Sequence, residues 1–150
     1  DLVILNSVIQ YFPSQTYLEA AIDTALKALA PGGRIYIGDV RSLPLLEAYA
    51  ASVVHYQSDG DAARDALALA VQRRVQQEEE LVVDPAFFLG LRASSPRVSR
   101  VEIAPKRGRA RNELTKFRYE VTIHVDGPEA PPPPAAAYDA RRDAIDAPAL

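Results

Sequence analysis

Four consecutive apolar residues, Leu2 to Leu5, closed at once by Asn6 and Ser7, constrain this chain more than any other feature. The run is too short for a helix, and an unbroken apolar stretch bounded by polar residues reads as a buried parallel strand. In an open α/β sheet, ligands gather beyond the carboxyl ends of the strands. Asn6 and Ser7, with the following Val8, Ile9, Gln10, Tyr11 and Phe12, therefore read as the wall of a pocket. The plainer alternative is a strand-to-helix turn with Asn6 as its cap.

The pattern then repeats. Ser14 caps a predicted helix in which Tyr17, Leu18, Ala21, Ile22, Ala25, Leu26 and Leu29 recur at helical spacing, with Glu19 and Asp23 early and Lys27 late, as the helix dipole favours. Pro31, Gly32 and Gly33 stop it. Arg34 to Gly38 is a second strand, and Asp39, Val40, Arg41 and Ser42 stand at its end as Asn6 and Ser7 stand at the end of the first. A parallel strand-helix-strand unit with a right-handed crossover puts Asn6 and Asp39 on one edge of the sheet, facing one cleft.

Leu43 to Gln57 predicts a packed helix with Pro44 in its first turn. Asp59 to Glu80 predicts a longer one that turns Leu67, Leu69, Ala70 and Val71 toward the core. Glu78, Glu79 and Glu80 at its carboxyl end oppose the dipole, so they are either a solvated charge run or neighbours of a cation. Asp84 and Pro85 open a short helix, Ala86 to Arg92, in the cap-then-proline pattern.

Val98 to Ala104 and Phe117 to Val125 are the last two strands. The second alternates Phe117, Tyr119, Val121, Ile123 and Val125 against Arg118, Glu120, Thr122 and His124. Pro105 to Lys116 is too short to hold a crossover helix, which makes these strands antiparallel to one another. With Val98 to Ala104 parallel to the first two strands, the connecting loop joins Asn6 and Asp39 on their edge, and His124 goes to the opposite edge as a structural residue. The loop KRGRARNELTK is the densest basic segment. It protects a strand edge, binds an anion through arginine, or contacts nucleic acid, although no aromatic interleaving supports the last.

Composition narrows the function classes. With 150 residues, 48% of them hydrophobic, the chain can bury one domain's core. Cysteine is absent, and the two histidines, His55 and His124, have no ligand spacing, so no metal is expected. A net charge of -3 gives no footprint for nucleic acid or an anionic membrane. Without a membrane span or signal peptide, a cytoplasmic location is the default. The lack of methionine and a start in mid-strand suggest a piece of something longer. From Asp126 the composition changes: 127–137, with Pro131 to Pro134 and Ala135 to Ala137, reads as a stiff linker, and 138–150 as the start of another unit.

Three segments, LNSVIQYFP (5–13), LAPGGRIYIGDVRSLPLL (29–46) and NELTKFRYEV (112–121), with support from EEELVVDPAFF (78–88), together resemble one family. They look like the second half of the N-methyltransferase domains embedded in nonribosomal peptide synthetase adenylation domains. The resemblance spans about residues 1–126, and AAAYDARRDA in the tail is similar to the return into the adenylation domain. It implies an α/β fold: the C-terminal half of a Rossmann-like S-adenosylmethionine-dependent methyltransferase sheet, incomplete by itself. The strands would be the fourth to seventh of the family's sheet, the seventh lying antiparallel between the fifth and sixth.

The implied activity is N-methylation of the α-amine of an aminoacyl thioester during antibiotic biosynthesis, with S-adenosylmethionine as cofactor. The implied partners are the missing N-terminal half of the methyltransferase domain, the adenylation domain, and a peptidyl carrier protein bearing aminoacyl-phosphopantetheine. The family's glycine-rich loop and ribose-binding acid are not among these residues, so the missing half is expected to supply them. Methyl transfer from a sulfonium needs placement more than a strong base, because an α-amine with a pKa near about 8 is partly neutral at pH 7. Asn112, Glu113, Asp39 and Tyr11 are then the candidate catalytic residues, the plainer reading of Asn112 and Glu113 being that they cap the turn and pair with Arg109, Arg111 or Lys116. Asn6, Ser7, Val8 and Gln10 are candidates for the cofactor, and Arg41, Arg109, Arg118 and Tyr119 for the substrate. A small-molecule O- or C-methyltransferase fragment and a non-catalytic interaction segment are the alternatives.

Overall fold

A computed structural model of the chain describes residues 1–58 and 63–128. The start of the predicted longer helix at 59–62, the remainder of the predicted linker and the tail 138–150 lie outside the described residues. In chain order the strands are β1 (Leu2–Asn6), β2 (Arg34–Ser42), β3 (Val82–Val83), β4 (Val98–Pro105) and β5 (Arg118–Val125). The helices are α1 (Gln15–Ala28), α2 (Leu46–Gln57), α3 (Arg64–Gln76), α4 (Pro85–Ser94) and α5 (Glu113–Phe117), with 3-10 turns at Ile9–Tyr11 and Leu43–Leu45.

The main sheet runs β1-β2-β5-β4. β1 and β2 are parallel, with Asn6 opposite Gly38. β5 lies antiparallel between β2 and β4, as the short connection and the resemblance implied. β4 is therefore parallel to β1 and β2, and its carboxyl end comes to the same edge as Asn6 and Asp39. β3, a strand absent from the sequence reading, pairs with Arg41 and Ser42 on the β1 side of β2, since β5 holds the other side. Together these strands and helices make an open mixed α/β sheet.

Local chemistry explains most boundaries. The Ser14 hydroxyl accepts from the Tyr17 amide at 3.2 Å and starts α1, while Asp84 accepts from the Ala86 amide at 2.8 Å and starts α4 with Pro85 in its first turn. Leu18, Ile22, Ala25 and Leu26 of α1 share one core with Ile35 and Ile37 of β2, Val121 and Ile123 of β5, and Phe88 and Leu91 of α4. Arg97 donates to the Leu29 carbonyl at 2.9 Å and to that of Leu26, placing a cation at the carboxyl end of α1.

Four expectations change. β1 is not a buried strand: Leu2 and Ile4 are 57% and 60% exposed, because among the described residues no helix covers their face of the outer strand. The Asp59 to Glu80 helix ends at Gln76, and no residue of α3 is buried; it packs on α2 rather than on the sheet, leaving Leu69 exposed. α2 itself buries only Ala50. Finally, Phe117 ends α5 rather than opening β5, since Asn112 and Thr115 form a capping box that winds the preceding residues into a helical turn.

Candidate functional site

The site begins with two residues held in the left-handed region, Ser7 at φ 55° and Asp39 at φ 64°, each immediately beyond a strand pairing at the carboxyl edge. Such backbone costs a non-glycine residue on the order of 1 kcal/mol. It is held by reciprocal contacts. The Ser7 amide donates to the Gly38 carbonyl at 3.3 Å, and the Ser7 hydroxyl donates to Asp39 Oδ2 at 2.5 Å. The register of β2 against β5 shifts between Ile37 and Val40, which brings Gly38 and Asp39 out of the ladder. A Cβ at Gly38 would collide with the Asn6 side-chain oxygen, so only glycine lets Asn6 lie over this strand.

Lys106, just past β4, donates from Nζ to Asp39 Oδ1, and its own amide donates to the Arg118 carbonyl at 3.2 Å. Burial alone would raise the Asp39 pKa, but hydrogen bonds from Lys106 and Ser7, with the charges of Lys106 and Arg118, hold it below the usual carboxylate range. Asp39 is thus a carboxylate at neutral pH. Beside it, burial first and then the Glu120 and Asp39 carboxylates push the Tyr36 hydroxyl up.

A second cluster borders the first. Glu113 Oε2 accepts from the Tyr49 hydroxyl at 3.0 Å, and its Oε1 accepts from Arg118 at 2.7 Å. Arg41, cross-strand neighbour of Arg118, donates to both Glu78 oxygens and to Glu80 Oε2, all at 2.7 Å, and its guanidinium lies 5.1 Å from the Tyr49 ring centre. Arg41, Ser42, Leu46, Tyr49, Val82, Glu113, Phe117 and Arg118 line a small cleft.

Of the residues singled out from sequence, Asn6, Ser7 and Asp39 meet at the strand ends, and Glu113, Arg118 and Arg41 meet beside them. Asn112 caps α5, its Oδ1 accepting from the Thr115 amide at 3.3 Å. Val8 and Tyr11 are exposed, and Gln10 is buried with its Oε1 unpartnered among the described residues. Arg109 is exposed in the loop. Tyr119 is buried, donates to the Val83 carbonyl at 2.9 Å, and has its hydroxyl pushed far up by burial, so it props β3 from within the core. Of the glutamates after α3, Glu78 and Glu80 flank a cation, Arg41, while Glu79 is exposed. Lys106, Tyr49, Glu78 and Glu80 were not among the sequence candidates. The density of basic residues in 105–116 was the one signal that touched Lys106.

An open α/β sheet with polar groups gathered at the carboxyl ends of its parallel strands and its last strand inserted antiparallel is a partial Rossmann-like fold. No family model matches the chain. It is 46% identical over 145 residues to chondramide synthase cmdD of Chondromyces crocatus, covering 97% of this chain and 4% of that protein. It is 42% identical over 143 residues to the beauvericin nonribosomal cyclodepsipeptide synthetase of Beauveria bassiana, covering 93% of this chain and 4% of that protein. Against the nonribosomal peptide synthetase kk1B of Curvularia clavata the identity is 37% over 128 residues, covering 85% of this chain and 1% of that protein. The chain is therefore similar to segments of nonribosomal synthetases and spans 4% or less of the length of these relatives.

Proposed function

We propose that this chain is the acceptor-side half of an S-adenosylmethionine-dependent N-methyltransferase unit within a nonribosomal peptide synthetase, acting on the α-amine of an aminoacyl group carried as a thioester. The observation that carries the reading is the convergence of Asn6, Ser7 and Asp39 from the parallel strand ends with Lys106 and Glu113 from the β4–β5 connection and Arg118 from the start of β5. The similarity to nonribosomal synthetases supports the setting. Adenylation and carrier domains are then its neighbours, and an N-terminal half completes the sheet beyond β1.

The residues present fit one side of a cofactor site. Asn6 lies over Gly38 with no room for a side chain beneath it, and the buried Gln10 offers an acceptor oxygen with no partner among the described residues. Asn6, Ser7, Val8 and Gln10 would hold the cofactor, which brings an already activated methyl group on a sulfonium. The protein's own task is to bind the amine and fix its direction, and Asp39, Asn112 and Glu113 are the groups on this edge able to do so. Arg41, Arg109 and Arg118 would steer the carrier's phosphopantetheine, and exposed Tyr11 would wall the acceptor. One observation favours the non-catalytic reading: Asp39 and Glu113 are both paired within the chain.

Glu113→Gln in the full-length parent separates Glu113 at the acceptor amine from Glu113 as a partner of Arg118 alone. A loss of about a hundredfold in methyl transfer to the carrier-bound aminoacyl group, with cofactor affinity unchanged, supports Glu113 at the acceptor amine. Activity within about threefold of wild type excludes a role worth even ~1 kcal/mol at the transition state.

A further inference from the structure

Lys106 sets a primary ammonium on Asp39, and we infer that this contact is an internal stand-in for the ligand: the acceptor's primary ammonium takes the place of the Lys106 ammonium on Asp39. The inference rests on the amine-acceptor reading for the identity of its natural ligand. It names Asp39 as the ammonium subsite and Lys106 as a tethered competitor.

Residue choice separates this contact from the others in the chain. Among the described residues, the remaining carboxylate pairs use arginine or histidine: Arg41 with Glu78 and Glu80, Arg97 with Asp126, Arg118 with Glu113, and Arg100 and His124 with Glu102. Arginine makes a planar, two-pronged clamp that is costly to displace, whereas lysine offers a single ammonium on a flexible stem. At Asp39 alone the partner is lysine.

The two oxygens of Asp39 differ accordingly. Oδ2 is held at 2.5 Å by Ser7, a neighbour fixed by backbone at the strand ends. Oδ1 is held by a side chain reaching in from the segment after β4. Asp39 is 6% exposed, so a cation is the favoured partner of its carboxylate, and a primary ammonium leaves most readily when an equivalent group replaces it. An α-amino group is mainly an ammonium at pH 7 and is such a group. The exchange conserves charge and breaks no covalent bond. The bound ammonium then gives its proton to water before its lone pair is used, since Asp39, held ionised, serves as an anchor rather than a base.

The test uses the full-length parent with alaninamide as the ammonium probe and N-acetylalaninamide as the uncharged control, measured by calorimetry. Lys106→Met removes a competitor present at high effective concentration and should tighten alaninamide binding by about tenfold while leaving the control unchanged. Adding Asp39→Asn should erase the gain, and Lys106→Arg should reverse it. Equal or weaker binding by Lys106→Met, or an equal gain for the control, overturns the inference. If Lys106→Met does not fold, Lys106→Gln serves. A wild-type parent that transfers no methyl group to an amine sinks the proposed function while a Lys106→Met gain persists. Transfer without that gain sinks only the exchange.

Discussion

At Asp39, burial and partnership pull in opposite directions, and partnership prevails. A carboxylate whose folded pKa is lowered contributes stability that is fully present above its unfolded value of about 4 and is lost as pH falls through the folded value. Asp39→Asn should therefore cost stability at pH 7, and the gap from wild type should narrow as pH falls below about 4. Denaturant titrations of both proteins between pH 7 and pH 2 check this, and a gap independent of pH would show that the Lys106 and Ser7 contacts do not set the ionisation. How little of this was legible in sequence has a simple cause. Asn6, Ser7 and Asp39 announce themselves because each follows an apolar strand. Lys106 meets Asp39 across 67 residues, and the Glu113 partners Tyr49 and Arg118 come from an exposed helix and from β5. Sequence spacing carries no rule for such contacts, so the nearer cations Arg109, Arg111 and Lys116 looked equally suited to Glu113.

Helix α5 shows how a small element directs a side chain. Its capping box closes within four positions, Asn112 to Thr115, and sets Glu113 in the first turn facing Tyr49 and Arg118. Asn112→Ala should cost about 1 kcal/mol locally. Hydrogen exchange at the Thr115 and Lys116 amides should quicken accordingly, and unchanged protection would show that tertiary packing alone holds the turn. Strong local signals were readable: the Ser14 and Asp84 caps, and the alternation of Tyr119, Val121, Ile123 and Val125. Elements decided by neighbours were not. β3 is two residues long and exists because Arg41 and Ser42 offer an open edge, while α3 has helical periodicity but only α2 to pack against.

At the level of the whole molecule, the proposed function predicts that the isolated 150-residue chain binds S-adenosylmethionine negligibly, because it holds only one side of the site. Calorimetry that gave low-micromolar binding would place the cofactor elsewhere. The same chain should aggregate at micromolar concentration, since β1 presents an outer strand with Leu2 and Ile4 exposed. Light scattering against a Leu2→Lys, Ile4→Lys variant checks this, and equal scattering would absolve β1. The strand order also sets a timetable. Among the described strands β5 is made last, yet it fills the gap between β2 and β4. On the ribosome, everything through Pro105 is three strands that can pair in parallel, β1, β2 and β3, and a detached fourth, β4, that cannot join them. At roughly 5–20 residues per second, the sheet waits for Arg118–Val125 to leave the exit tunnel, and until then the facing edges of β2 and β4 stand unpaired and open to chaperones.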